Sequence, residues 1–220
     1  MELRIDVPGA ATDVSGLLLR PADAHALLVL AHSAGAGMRH VFMDAICQRL
    51  EARGLATLRY QFPYMEAGGR RPDRPALATA TVRAACIRAN EHADGLPVFA
   101  GGKSFGGRMT STAASDAALA GVRGLVFLGF PLHASKKPDT RRAEHLSGVG
   151  VPMLFLQGTR DTLAELALLS PICEKLAQAT LHVVEGGDHS FHVLKRSGRS
   201  DDEVLDELAQ ATDAWVRSAC

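Results

Sequence analysis

Hydrophobic positions in this chain follow two alternating rhythms. Short apolar runs bounded by turn residues recur at Ala26 to Ala31, Leu55 to Phe62, Val98 to Ala100, Val122 to Phe130, Pro152 to Leu156 and Leu181 to Glu185. Runs of this length suit strands buried on both faces of a parallel sheet. Between them lie segments with helical spacing: Met38 to Arg53, Ala76 to Ala93, Gly107 to Leu119, Leu163 to Ala179 and Asp201 to Ala219. Gly54 follows the first as a C-terminal cap. The last opens on Ser200 and Asp201, with acids in its first turn. Glu2 to Val7 and Val14 to Arg20 alternate around the turn Pro8-Gly9-Ala10 and read as a hairpin. Strands alternating with helices predict an α/β fold: a doubly wound, mostly parallel sheet with an antiparallel N-terminal edge hairpin. With no linker, repeat or low-complexity stretch, residues 1–220 read as one domain.

Composition narrows the function classes. Lys plus Arg equals Asp plus Glu, 24 each, so no global charge draws the chain to nucleic acid or to an anionic membrane. The longest apolar run is too short to span a bilayer. The N-terminus is charged at once, against a secretory signal, and the default compartment is the cytoplasm. Cys47, Cys86, Cys173 and Cys220 are scattered and form no C-x-x-C pair, so they read as reduced residues, two or three of them in helical core.

The chemistry concentrates where strands end. Val98 to Ala100 stops in Gly101-Gly102-Lys103-Ser104-Phe105-Gly106, and small helix-forming residues follow. This is G-x-S-x-G between a predicted strand and a predicted helix, the context of a nucleophile elbow. The flanking glycines spare the tight turn any Cβ. Such a serine needs a base and a group to orient that base. Functional groups of a doubly wound sheet gather at the carboxyl ends of its strands. Asp161 follows the strand ending at Leu156, and His189 follows the strand ending at Glu185. The chain order Ser104, Asp161, His189 is the one expected of this sheet. Asp139 lies too far beyond its strand, and Asp188 adjoins His189 and points away from it. A tetrahedral oxyanion would take one donor from the N–H of Phe105. The other would come from the loop His32-Ser33-Ala34-Gly35-Ala36-Gly37, through Ser33 or Ala34.

Other readings of the same residues are weaker. Gly102-Lys103-Ser104 also ends a phosphate-binding loop motif, but the glycine needed five residues before Gly102 is Pro97. His189 and His192 are spaced like a metal pair but lack a third ligand, so no metal is expected. Asp161 doubles as a candidate N-cap for the helix near Leu163. The turn geometry directs Lys103 away from the site. Lys136, Lys137, Arg141 and Arg142 form either a solvated face or a rim that recruits an anionic substrate, and Phe130 to Pro152 as a whole faces either solvent or a partner.

On the motifs L-A-H-S-A-G-A-G (Leu30 to Gly37), G-G-K-S-F-G-G-R (Gly101 to Arg108), G-T-R-D (Gly158 to Asp161) and G-G-D-H-S-F (Gly186 to Phe191), the chain resembles the alpha/beta-hydrolase superfamily over essentially its whole length. More narrowly it resembles the lidless, dienelactone-hydrolase-like branch. The loops Tyr64-Met65-Glu66, Gly69-Arg70-Arg71 and Arg142-Ala143-Glu144-His145-Leu146 resemble the testis-expressed and histone-acetyltransferase-associated hydrolase-like subfamily. The common H-G of the oxyanion loop is H-S here, and no insertion is large enough for a lid domain. The residues and the resemblance together imply a cofactor-free serine hydrolase of small ester or thioester substrates. The rival expectation, from the subfamily, is a catalytically silent module of a larger assembly.

Overall fold

In the computed structural model, which describes residues 1–219, eight strands form one sheet in the order β1-β2-β4-β3-β5-β6-β7-β8. The strands are β1 Glu2–Ile5, β2 Val14–Leu19, β3 Ala26–Ala31, β4 Leu55–Tyr60, β5 Val98–Lys103, β6 Val122–Leu128, β7 Met153–Gly158 and β8 Ala179–Val184. The expected hairpin is present: β1 and β2 pair antiparallel, and β2 pairs antiparallel with β4. Every pairing from β4 through β8 is parallel.

The continuous apolar runs are explained by what covers the sheet. In β3, Leu27, Val29 and Ala31 face a cluster shared with α3 (Pro75–Glu91) and α4 (Phe105–Asp116). Ala26, Leu28 and Leu30 face the opposite cluster, with α1 (Val41–Glu51) and α6 (Asp201–Ser218). The period-two alternation thus buries both faces, and no polar position is tolerated in the strand. Phe99 of β5 packs edge-on against Trp215 of α6, with ring centroids 5.8 Å apart. Cys47, Cys86 and Cys173 are buried free thiols in α1, α3 and α5 (Leu166–Lys175), as expected, while Cys220 lies outside the described residues.

Several boundaries differ from the sequence reading. The helix expected from Leu163 begins at Leu166, because the chain first makes a turn held by the Asp161 side chain. It ends at Lys175, and β8 starts two residues earlier than expected, at Ala179. The loop after β4 contains a one-turn helix α2, Pro63–Glu66, started by proline. The basic stretch after β6 contains a 3₁₀ segment, Arg141–Gly148, which buries Ala143 and Leu146. Its His145 bonds Ser111 of α4 at 2.8 Å, so this half of the segment packs on its own molecule. Among the described residues no helix is long and apolar enough to cross a membrane.

Candidate active site

The turn at the end of β5 is built by close approach. A Cβ on Gly102 would lie 2.4 Å from the Ala31 carbonyl oxygen, and one on Gly106 would lie 2.5 Å from the same atom and 2.6 Å from the His32 carbonyl. Only glycine lets α4 start against the end of β3. Ser104, between them, has φ 51° and ψ −113°, a region costly for a residue with a Cβ. Such a conformation costs about 1–3 kcal/mol and persists where the surroundings over-determine it. Here the Ser104 N–H donates to the Leu128 carbonyl at 3.2 Å, and its carbonyl accepts from Arg108 N at 3.0 Å.

Two further loops, after β7 and after β8, bring their side chains to that serine. His189 Nε2 lies 2.8 Å from Ser104 Oγ, and His189 Nδ1 lies 2.7 Å from Asp161 Oδ2. The Asp161 side chain is fully buried, whereas that of His189 keeps 22% of its surface exposed. A carboxylate only accepts hydrogen bonds, so Nδ1 carries the hydrogen and Nε2 turns its lone pair to the serine hydroxyl. Asp161 is itself held: Oδ1 accepts from Leu163 N at 2.8 Å, and Oδ2 accepts from the Gln157 amide. Asp161 therefore fixes a turn ahead of α5 and is not that helix's N-cap, which is Glu165. Gln157, fully buried, also accepts from Phe130 N at 3.0 Å through Oε1 and so ties β7 to the loop after β6. Its signal was a lone polar residue closing an apolar strand, four positions before Asp161.

Asp188 does turn away from the histidine pair. Its Oδ1 accepts from the N–H groups of Ser190 and His192, which shapes the turn carrying His189. His192 faces Asp201 at the start of α6, with Nδ1 2.8 Å from Oδ2. The two histidines thus serve different partners.

The loop His32 to Gly37 is fastened from beneath. His32 is fully buried; its Nδ1 meets the Ser33 carbonyl at 2.8 Å, and its Nε2 accepts from Phe62 N at 3.1 Å. Burial lowers its pKa to about 4, so the ring is neutral and its tautomer is set by those two partners. The N–H of Gly35 is taken by Tyr64 Oη at 3.0 Å. Among the described residues, the N–H groups of Ser33, Ala34 and Phe105 have no hydrogen-bond acceptor. The contact of Gly106 with Ala31 and His32 brings the start of α4 against this loop.

Lys103 departs from the expectation made for it. It stays out of the cleft, but its buried Nζ runs beneath the site and donates to the His189 carbonyl. The same ammonium lies 4.9 Å from the centroid of Phe191 and 5.6 Å from that of Phe42. Burial is the main cause of a pKa lowered to about 8 from the ordinary 10.5, against the pull of Asp161 and Asp188. Between pH 8 and 10.5 the unfolded chain therefore holds the proton that the folded chain has released. Stability from this group is complete above pH 10.5 and falls as pH drops to 8. The difference is on the order of 3 kcal/mol. Lys103→Met is expected to abolish this rise in urea-unfolding free energy between pH 8 and 10. It should also lower kcat up to about 100-fold, by freeing the backbone that aims His189. An unchanged stability slope in the variant would refute the assignment.

A cavity of about 770 Å³ lies between β1 and α3, lined by Ile5, Ala84 and Ile87 among others and by none of these residues. A second, of about 470 Å³, is lined by Arg108 of α4 and by the loop from Leu132 to His145.

A family model described as alpha/beta hydrolase domain matches residues 24–217. Among solved structures, a dienelactone hydrolase from Anabaena variabilis superposes with a TM-score of 0.78 at 21% identity, covering 100% of this chain and 97% of its own. An alpha-beta serine hydrolase homologue from Coxiella burnetii gives 0.75 at 19% identity, covering 96% of each chain. A serine hydrolase without lid from Xanthomonas campestris gives 0.73 at 19% identity, covering 98% of this chain and 94% of its own. At these identities the likeness is one of fold.

Proposed function

Because this chain belongs to the alpha/beta-hydrolase family, we propose that it is a serine hydrolase that cleaves small ester or thioester substrates through an acyl-enzyme on Ser104. The observation that carries this reading is the unbroken path from Ser104 Oγ through the His189 ring to buried Asp161. Ser104 Oγ attacks the acyl carbon while His189 Nε2 takes its proton. Asp161 holds the ring by Nδ1 and stabilises the imidazolium that forms. The carbonyl oxygen gains negative charge and is met by the Phe105 N–H and by the N–H of Ser33 or Ala34. His189 then gives its proton to the departing alcohol or thiol as the carbon–oxygen or carbon–sulfur bond breaks. Water, deprotonated by the same Nε2, attacks the acyl-enzyme; the proton returns to Ser104 and the acid leaves. Every proton moves between side chains of this chain, substrate and water, so the steps as written call on no cofactor. The partly exposed His189 side chain and the absence of an insertion large enough for a lid domain favour small, soluble substrates. Within this reading, the resemblance of the loops Tyr64-Met65-Glu66, Gly69-Arg70-Arg71 and Arg142-Ala143-Glu144-His145-Leu146 to the testis-expressed and histone-acetyltransferase-associated subfamily supports a kinship with that group.

The test is covalent labelling. A fluorophosphonate probe is expected to add one adduct to the native protein, seen by intact mass, and none to Ser104→Ala. Equal labelling of both, or of neither, would count for the silent-module reading.

A further inference from the structure

The 470 Å³ cavity between Arg108 of α4 and the loop after β6 is strongly basic and short of counter-charge. Arg108, Lys137, Arg141 and Arg142 line it against one carboxylate, Asp139. That carboxylate is already taken: Arg141 Nε bonds it at 2.6 Å and Arg141 N at 3.0 Å. Among the described residues no carboxylate lies within salt-bridge distance of Arg108, Arg142 or Lys137. Arg108 is half-buried, and its charge is further disfavoured by the neighbouring Arg142. Two guanidinium groups held near each other without an anion are unfavourable in the free protein. Guanidinium groups are planar multiple donors whose geometry matches a compact oxyanion.

The cavity is built on elements that also carry the proposed triad. Arg108 stands one helical turn after Ser104, with its guanidinium 5.9 Å from the centroid of the Phe105 ring. On the other side, His133 N donates to the Leu163 carbonyl at 3.1 Å, and Leu163 N is held by Asp161. The cavity wall and the proposed triad therefore share both α4 and the loop after β7. Resting on the hydrolase reading above, we propose that this cavity binds a carboxylate or phosphate group of the substrate, so that the preferred substrates are anionic esters or thioesters.

Two measurements test this, the first independent of turnover. Calorimetric titration at low ionic strength with inorganic phosphate, and separately with succinate, is expected to show single-site binding to the native protein. The anion that binds more tightly identifies the source of the charge. Arg142→Gln, at an exposed position that no fold contact depends on, should weaken that binding roughly 10- to 100-fold, as should Arg108→Gln, the span expected for losing a charge-assisted hydrogen bond. The second measurement compares 4-nitrophenyl succinate with the neutral 4-nitrophenyl butyrate. The native ratio of kcat/KM should favour the anionic ester, and each substitution should lower that ratio by a similar factor. No anion binding, or equal binding to native and both variants, overturns the proposal even if Ser104 is labelled. Anion binding that follows the arginines while Ser104 stays unlabelled would sustain the cavity and sink the hydrolase reading instead.

Discussion

Ser104→Ala is expected to lower kcat/KM on 4-nitrophenyl acetate by at least about a thousandfold, and towards a millionfold if the site is fully assembled. His189→Ala should lose about as much, because neither group acts without the other. The double variant should then be hardly worse than either single one, the signature of residues that work as a unit. Asp161→Asn is the more informative change. All three partners of the Asp161 carboxylate are donors: Leu163 N, the Gln157 amide and His189 Nδ1. An asparagine must turn its NH₂ toward at least one of them. If that donor is His189, the imidazole moves its hydrogen to Nε2 and can no longer accept from Ser104. A loss of about ten-thousandfold in kcat is expected, with a well-folded protein. Steady-state kinetics with circular dichroism as a folding control would decide it. A Ser104→Ala variant keeping more than a few per cent of native activity would dismiss the mechanism.

Gly106→Ala should be nearly as damaging, although it removes no functional group. The new methyl carbon would stand 2.5 Å from the Ala31 carbonyl oxygen and 2.6 Å from both the Ala31 carbonyl carbon and the His32 oxygen. All three are backbone atoms, so no side chain can swing aside. The start of α4 must move away from the end of β3, which carries the Phe105 N–H away from Ser33 and Ala34. Overpacking of this kind costs about 1–3 kcal/mol of stability. Losing one oxyanion donor costs roughly 100- to 1,000-fold in rate. The expected result is a loss of that order in kcat with a smaller change in KM, and a lower denaturant midpoint. Gly68→Ala is the comparison: nothing lies near its added Cβ, but the positive φ is unfavourable, so it should cost some stability and no rate. Equal kinetics for native and Gly106→Ala would show that the close approach has no part in the chemistry.

The strands and the α/β order were legible because burial on both faces leaves a run of apolar residues that is hard to mistake. Ala26 to Ala31 and Val98 to Ala100 are strands on that pattern alone, and the hairpin follows from alternation around Pro8-Gly9-Ala10. The end of α5 is not legible, since helical spacing of apolar residues continues from Leu163 to Ala179. The chain leaves the helix at Lys175 to enter β8 beside β7, a pairing that local pattern does not carry. The 3₁₀ segment at Arg141–Gly148 was hidden for a similar reason: its order comes from Ala143, Leu146 and His145 seating on α4.

Ser104, Asp161 and His189 could be picked out because each follows a strand end and carries a residue type the chemistry requires. Sequence by itself determined which groups stand at the carboxyl edge of the sheet, and in what order. It could not determine their distances, because 85 residues separate Ser104 from His189 and only the parallel pairing of β5 through β8 closes that gap. Nor did it show the service of Lys103, Gln157 and His32, whose partners lie on other strands and loops. Polar side chains of that kind acquire a role only once burial removes water and leaves one neighbour within reach.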